Sequence, residues 1–543
     1  MKQLKQLSVL AILMILFSCK KTETPAPTPT VPAPSLSALS VSTGIAGDQI
    51  TITGSNFTNV TAVKFGGTAA ASYTVQNETT ILATIGSGSS GDVTVTTPGG
   101  TGKISGFVFF GAGSKFDVRG LITTNTTLKK DFVYRLRGYV YVISGATLTI
   151  EAGTKIVSNK DSAGVLVVTP DSKIIADGSA SLPIVFTSDE ETPAPGDLGG
   201  LIIAGNAKVN GNHAVIEGGL DVQYQSFGGN NDADNSGTLK YVRIEYAGKA
   251  VNPGDEVNGL SLYGVGNGTT IDYVQVYKGY DDAFEIFGGA VNCKHLIAYG
   301  TADDDFDFDD GYRGYIQFAI SYKDPIFTDP KGTSGDYSNN IEVDNVNPSN
   351  GFLLSRAPIT FPVMSNFTAV GPNNVSGTSA DYGFGMRWRR GSRFIFANSV
   401  VLGSQKEAFR VQEDSSIAYF LRGKSLLYNS YLHDQANKFA VADKYSTSQS
   451  PYTISGFPSY TLTTIKDTYK ASNTTEVSDY TTLLLTAPFN VAAPNVKPQS
   501  GSPLLSGAAF VPTELTDAFF EKVNFVGAIG DTDWTTGWAK WGL

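Results

Sequence analysis

Three patterns of apolar and polar positions follow one another along this chain. The first is an apolar run of eleven residues, Leu7 to Phe17, behind Lys2 and Lys5. It is too short to cross a bilayer as a permanent helix and fits the core of an export signal. The second pattern fills residues 35 to about 110, where short alternating segments such as Ile50-Thr51-Ile52-Thr53 and Val93-Thr94-Val95-Thr96 are broken by turn residues. That spacing predicts a small β-sandwich. The third pattern is a repeat that begins near residue 138. Leu148, Leu166, Ile184 and Ile202 lie 18 residues apart, followed at the same interval by Ile150, Val168, Phe186 and Ala204, and again by Ile156 and Ile174. A fixed period with one short β-branched strand per unit predicts a solenoid of stacked coils, and it is too short for a two-helix repeat.

A second register opens after a polar insertion at 219–238. Leu239–Tyr246 is repeated by Ile271–Tyr277 and then, 22 residues on, by Cys293–Tyr299; the same step takes Phe284 to Phe306 and Ile286 to Phe308. It places Cys293 on Ile271, pointing inward as a small buried hydrophobe. Later segments (NNIEVDN, YGFGMRWRRG, EAFRVQEDS, SLLYNSYLH) are less regular. The stretches 324–338 and 434–480 are expected to project as loops, and residues 526–543 to cover the open end as a C-terminal cap.

Composition narrows the picture. There are 59 glycines, 11% aromatics and only 17% charged residues, which suits an all-β chain rich in turns. The net charge is −10 and the one basic run is Arg387–Arg390, which excludes nucleic acid as a partner. Two cysteines cannot make a disulfide framework. His213, His295 and His433 are far apart, so zinc and Ser-His-Asp chemistries find no support.

Several segments carry resemblances. Leu16-Phe17-Ser18-Cys19 resembles a bacterial lipobox, although Phe17 departs from the small residue usual there. The resemblance implies a signal peptide over 1–19, acylation of Cys19, and an outer-membrane or cell-surface address. The Pro/Thr-rich residues 20–34 then read as an extended tether. The runs Gly47–Phe57 and Gly91–Gly100 resemble the IPT/TIG family of immunoglobulin-like domains, over 35–111. Such domains serve as spacers and in some cases bind sugars. GATLTIEAGTKI, SKIIADGSASLPIVFTS and PGDLGGLIIAG resemble pectate-lyase-like right-handed β-helices. GTLKYVRIEYAG, the long segment from Asp281 to Phe318 and the ending GAIGDTDWTTGWAKWGL resemble a family of β-helix lipoproteins common in Bacteroidetes, which has no settled activity. The expected architecture is all-β: an IPT/TIG sandwich, a right-handed parallel β-helix over 115–525, and the cap.

Candidate chemistry follows from the second register. Alternate strand residues face outward. With Phe306 and Phe308 inward, Asp305, Asp307 and Asp309 should face out, flanked by Asp303, Asp304 and Asp310. Asp281, Asp282 and Glu285 lie one coil earlier, and Glu342 and Asp344 one coil later. Such a ladder repels itself unless Ca²⁺ or raised carboxyl pKa values offset it. Asp303, Asp305, Asp307, Asp309 and Glu285 are the candidate Ca²⁺ ligands. In the next coil Arg387 should stack above Glu342 and Arg389 above Asp344, with Arg390 beside them and Arg410 continuing the column. This leaves open an ion-pair ladder closing the acidic patch, or a lyase site in which Ca²⁺ neutralises a uronate and Arg387 or Arg389 takes the proton. Trp534, Trp538 and Trp541, and Tyr246, Tyr263, Tyr277 and Tyr299, read as packing rather than as sugar platforms. The favoured reading is a monomeric, non-catalytic surface protein presenting a β-helix face to a polysaccharide or other extended glycan. A Ca²⁺-dependent polysaccharide lyase or related carbohydrate-active enzyme is the alternative, and an adhesin or structural protein a further one. Cys19→Ser is expected to move the protein from the detergent phase to the aqueous phase in fractionation of the expressing cells; an unchanged distribution would remove the lipid anchor.

Overall fold

One parallel ladder runs from strand Lys115–Ile122 to strand Thr475–Glu476, each strand bonded to strands of the neighbouring coils. This is a parallel β-helix. The computed structural model describes residues 31–252, 255–331, 336–436, 438–443 and 460–542. The chain divides into two units, one ending at Ala112 and one starting at Gly113. In the first, strands 35–39, 49–55, 72–77 and 80–84 form one antiparallel sheet, and a second sheet is built on strands 62–65, 91–97 and 100–109. Ile50, Ile52, Phe65, Ile81, Val93, Val95 and Phe107 close the core between them.

The solenoid core follows from stacking like on like. Ile271, Cys293 and Ile316 form one inward column, and Phe284 sits on Phe306 with ring centroids 5.1 Å apart. The 22-residue register is thus the coil step in this region. The 18-residue register is not. Leu148 pairs with Ile174, Leu166 with Leu201 and Ile184 with Val242. Each 18-residue step carries the chain from one face of a coil to a different face, because the loops between faces are uneven in length here.

Residues at one corner adopt the left-handed conformation coil after coil: Tyr241, Tyr273, His295, Phe318, Asn366, Asn398 and Asn429. The bend lets one strand serve two faces, and the stacked side chains offset its backbone cost. Tyr241 lies 4.3 Å from Tyr273, and Tyr273 4.1 Å from His295, as parallel rings. Farther along, Asn429 Nδ2 donates to Asn398 Oδ1 at 2.8 Å.

The closing residues run back along this corner and do not cap the end as expected. Asn398 Nδ2 donates to the Ala509 carbonyl, Asn366 Nδ2 to that of Phe525, and Arg243 to that of Trp538. Gln317 and Gln275 exchange paired bonds with the backbone of Glu521 and Lys540. Trp538, 1% exposed, sets its edge against Tyr241 and Tyr273. Helix Leu462–Ala471, inside the stretch expected to project as a loop, packs on the last coils through buried Ile465 and Tyr469. Tyr263, Tyr277 and Tyr299 are buried at coil edges, and Tyr246 is half-buried against Tyr277. Among the described residues no helix is long and apolar enough to cross a membrane. Trp538→Ala should cost about 3–5 kcal/mol, as for other buried Trp truncations, read by chemical denaturation; a cost under about 1 kcal/mol would mean that the tail does not brace the solenoid.

Candidate functional site

The outward positions of three successive coils place acids in register. Glu285 pairs with Asp307, Asp307 with Glu342, Glu342 with Arg387 and Arg387 with Arg410. Around this column lies a cavity of about 330 Å³, lined by twelve carboxylates and by Arg389, Arg390 and His213. The acids come from the turns and strands of the coils (Asp281, Asp282, Glu285, Asp303, Asp304, Asp307, Asp309, Glu342, Asp344), from the hairpin that carries Glu256, from the loop that carries Asp336, and from the long segment between strands Gly200–Ala204 and Gly237–Glu245 that carries Glu217.

Asp305 does not belong to this cavity. It precedes the strand Phe306–Asp309, at a corner where the strand alternation does not apply, and it is fully buried. Thr301 and Ser321 donate to it, and Lys323 pairs with it at 3.1 Å. The other four candidate ligands, Asp303, Asp307, Asp309 and Glu285, line the cavity.

The cations gather at one end. Arg389 Nε bonds both oxygens of Asp344 at 2.8 and 3.0 Å and a second nitrogen reaches Glu342, while Arg390 pairs with Asp344 at 2.6 Å. Arg387 bonds Asp336 at 2.8 Å, Glu342 at 3.3 Å and Gln412 at 2.6 Å. Burial opposes the charge on Arg389, but Asp344 and Glu342 outweigh it and hold the guanidinium firmly protonated. Neither Arg387 nor Arg389 is placed to abstract a proton, and the ion-pair arrangement is what the geometry supports.

The rest of the cavity is undercompensated. Lys331 pairs with Asp303. Among the described residues, Asp281, Asp282, Glu285, Asp304 and Asp307 have no Lys or Arg partner within 4.0 Å. Asp303 Oδ1 and Asp307 Oδ1 are buried with no hydrogen-bond partner. Burial and then the neighbouring acids push these five carboxyls well above the usual range. Burial raises Asp303 to about 6; burial, then Asp310, raises Asp309 to about 8.

Sequence reasoning missed His213 and Glu217, because they lie ahead of the insertion read at 219–238, in the long segment between strands Gly200–Ala204 and Gly237–Glu245 that has no counterpart in neighbouring coils. His213 Nδ1 lies 2.9 Å from Asp310 and Nε2 3.5 Å from Glu217. Burial lowers its pKa, but the Asp310 bond and the charges of Asp309, Asp310 and Glu217 raise it to about 10. A protonated imidazole ligates no metal. Three other groups could hold a cation: Asp281–Asp282–Asp303, Asp282–Glu285–Asp307 and Asp304–Asp307–Glu342, each with oxygens within 4.8 Å of one another. They share Asp282 and Asp307. Cys19 lies outside the described residues.

Residues 120–484 match the family model of the pectate-lyase like beta helix domain, and residues 34–110 that of the IPT/TIG domain. The chain belongs to the pectate-lyase-like β-helix family. No curated protein matches it. Among solved structures, SGBP-B from a complex xyloglucan utilization locus in Bacteroides uniformis is 25% identical over 15% of this chain and 25% of its own, with a TM-score of 0.14. The chain therefore spans a quarter of that protein. The catalytic domain of a GH87 alpha-1,3-glucanase, in complex with tetrasaccharides, is 9% identical over 75% of this chain and 90% of its own, with a TM-score of 0.21. Neither superposition bears on what this family member does.

Raised carboxyl pKa values make the folded state bind protons more tightly than the unfolded chain. Their stabilisation is full below the ordinary carboxyl range, about 4, and is lost as pH rises through about 6 for Asp303 and about 8 for Asp309. The melting temperature of chelator-treated β-helix should thus fall by several degrees from pH 5 to pH 8, and Asp307→Asn should shrink the fall. A flat profile would mean that the acids are compensated.

Proposed function

We propose that this protein is a non-catalytic, lipid-anchored glycan-binding protein of the cell surface, whose acidic cavity holds Ca²⁺ and presents it to sugar hydroxyls. The observation that carries the reading is the cavity itself: twelve carboxylates, of which Asp281, Asp282, Glu285, Asp304 and Asp307 have no Lys or Arg partner within 4.0 Å among the described residues. Ionised carboxylates only accept hydrogen bonds. Such walls suit a cation or a ligand rich in donors, and a polyhydroxylated sugar is the second of these.

A hard dication takes six to eight oxygens at about 2.3–2.6 Å. Asp282 and Asp307, shared by the adjacent acidic groups, and the orphaned Oδ1 atoms of Asp303 and Asp307 fit that demand. Bound Ca²⁺ would supply charge neutralisation and open coordination positions for vicinal hydroxyls. Arg389 and Arg390, held by Asp344, would keep the far end of the cavity closed to a second ion. The likeness of residues 1–19 to a signal with a lipobox at Cys19, and the Pro/Thr-rich residues that follow it, support a surface address. A lyase finds less support, because the candidate bases Arg387 and Arg389 are locked in ion pairs.

Affinity electrophoresis through gels containing neutral or acidic polysaccharides tests the reading. The expected result is retardation by at least one glycan, lost on adding chelator where the cavity is the contact, with no rise in ultraviolet absorbance from unsaturated uronates. Unsaturated products would replace binding by lyase chemistry, and no retardation across the panel would remove the glycan.

A further inference from the structure

The tail that runs back along the solenoid does not fill all the space beneath it. Between strand Tyr315–Tyr322, strand Asn495–Pro498 and residues 529–541 lies a cavity of about 230 Å³. It belongs to a different face of the coils from the acidic cavity, whose column runs through strands Phe284–Phe287, Phe306–Asp309 and Ile341–Val343. Ile320 and Ile529, 1% and 3% exposed, give it an apolar lining together with the rings of Tyr322 and Trp541. Asp533 and Asn495 give it a polar one.

The three tryptophans of the tail are not alike. Trp534 Nε1 donates to the Ala528 carbonyl at 2.8 Å and Trp538 Nε1 to that of Trp534 at 2.9 Å, as packed indoles do. Among the described residues Trp541 Nε1 has no hydrogen bond, and its ring is half-buried. The ring is nevertheless held in place. It meets Tyr299 edge to face with centroids 5.2 Å apart, and the next residue, Gly542, donates to the Tyr299 hydroxyl at 3.1 Å. Tyr322 stacks on the same Tyr299 at 5.1 Å. Rings fixed before a ligand arrives lose little freedom on binding. The polar groups are half used. Asp533 Oδ1 accepts from the Thr535 amide at 2.9 Å and hydroxyl at 2.7 Å, and Asn495 Oδ1 from the Lys497 amide at 2.9 Å. Among the described residues Asp533 Oδ2, Asn495 Nδ2 and the Tyr322 hydroxyl make no hydrogen bond. They offer an acceptor, an amide donor and a hydroxyl that serves as either. No Lys or Arg lies within 4.0 Å of Asp533 among the described residues, and Lys540 is turned to Glu245 at 2.9 Å.

We infer that this cavity is a separate site for a single neutral pyranose ring, bound without any metal ion. The inference goes beyond the reading of the acidic cavity and does not rest on it. The volume lies below the about 300–1,000 Å³ of sites for drug-sized ligands, which suits one ring and not a run of them. A pyranose has an apolar C–H face for Trp541 and the isoleucines, and hydroxyls at its edge that both donate and accept. Asp533 Oδ2, Asn495 Nδ2 and the Tyr322 hydroxyl answer those hydroxyls in kind. The unpaired Asp533 carboxylate repels a uronate or a sulfate ester. The amide donor and the indole N–H have nothing to accept from an ammonium ligand, so a neutral ring uses more of the site than a cation does.

The test uses the full-length protein in chelator, which silences a cation in the acidic cavity and leaves this one unchanged. Saturation-transfer NMR measures binding of the methyl glycosides of glucose, galactose, mannose and xylose, with glucuronate and choline as charged probes. The expected result is transfer to the ring C–H protons of at least one neutral glycoside. Its Kd should rise about tenfold or more in Trp541→Ala, as for other aromatic anchors. It should rise in Asp533→Asn as well, which keeps the acceptor for Thr535 and turns the free oxygen into a donor, and stay unchanged in Asp307→Asn. Circular dichroism and melting temperature establish that each variant is folded, and Asn495→Asp is the second probe should Trp541→Ala loosen the tail. Neutral-glycoside binding that ignores Asp533→Asn and Trp541→Ala overturns the inference. So does binding of choline or glucuronate in preference to all four neutral glycosides, and so does no binding in chelator. Failure here with chelator-sensitive retardation in polysaccharide gels intact overturns this site alone; failure of both overturns the glycan reading with it.

Discussion

A parallel β-helix sets equivalent positions of successive coils about 4.8 Å apart, so whatever a position carries is repeated against itself. The rest of this structure follows from that constraint. Apolar residues gain from it, as Phe284 on Phe306 and Ile271 on Cys293 do. Amides gain as well, because each can donate to the next, as Asn429 does to Asn398. Aromatic rings at the left-handed corner stack from Tyr241 through Tyr273 to His295, and the tail from residue 507 to 542 covers them. Charges lose from repetition unless something opposite intervenes.

The carboxylate column shows both outcomes. Toward one end the sequence supplies the opposite charge itself, as Arg387, Arg389 and Arg390 meet Asp336, Glu342 and Asp344. Toward the other end the described residues supply less, Lys331 to Asp303 and His213 to Asp310 and Glu217. Asp281, Asp282, Glu285, Asp304 and Asp307 are crowded together with raised affinities for protons and, by the same physics, for a dication. Folding that leaves such a patch uncompensated spends stability, and a ligand that repays it is the simplest account. The family match settles the scaffold, and the charge pattern on its face is what the functional proposal rests on.

Much of this was legible in the sequence where the coil step is constant. The 22-residue register located the core, the inward Cys293 and the step from Glu285 to Asp307, and the likeness of the following strand motifs extended the column to Glu342 and Arg387. The 18-residue register misled because periodicity alone does not say whether a step ends on the same face; Leu148 meets Ile174, not Leu166. Asp305 was misplaced because alternation was extended one residue beyond the strand that begins at Phe306, to a corner where Lys323 waits inside. His213 and Glu217 left no signal, since the long segment that carries them has no neighbouring coil to repeat it. The tryptophans near the C-terminus signalled packing, but not that the tail turns back along the coils.

The central claim is that the uncompensated acids form a cation site. Calorimetric titration of chelator-treated protein with CaCl₂ near pH 7, in two buffers of different ionisation enthalpy, tests it most directly. The account predicts saturable binding accompanied by proton release, because carboxyls with raised pKa values must lose protons to ligate, and loss of that binding in Asp307→Asn. No saturable heat, or binding that leaves proton uptake and release unchanged and survives Asp307→Asn, would contradict it.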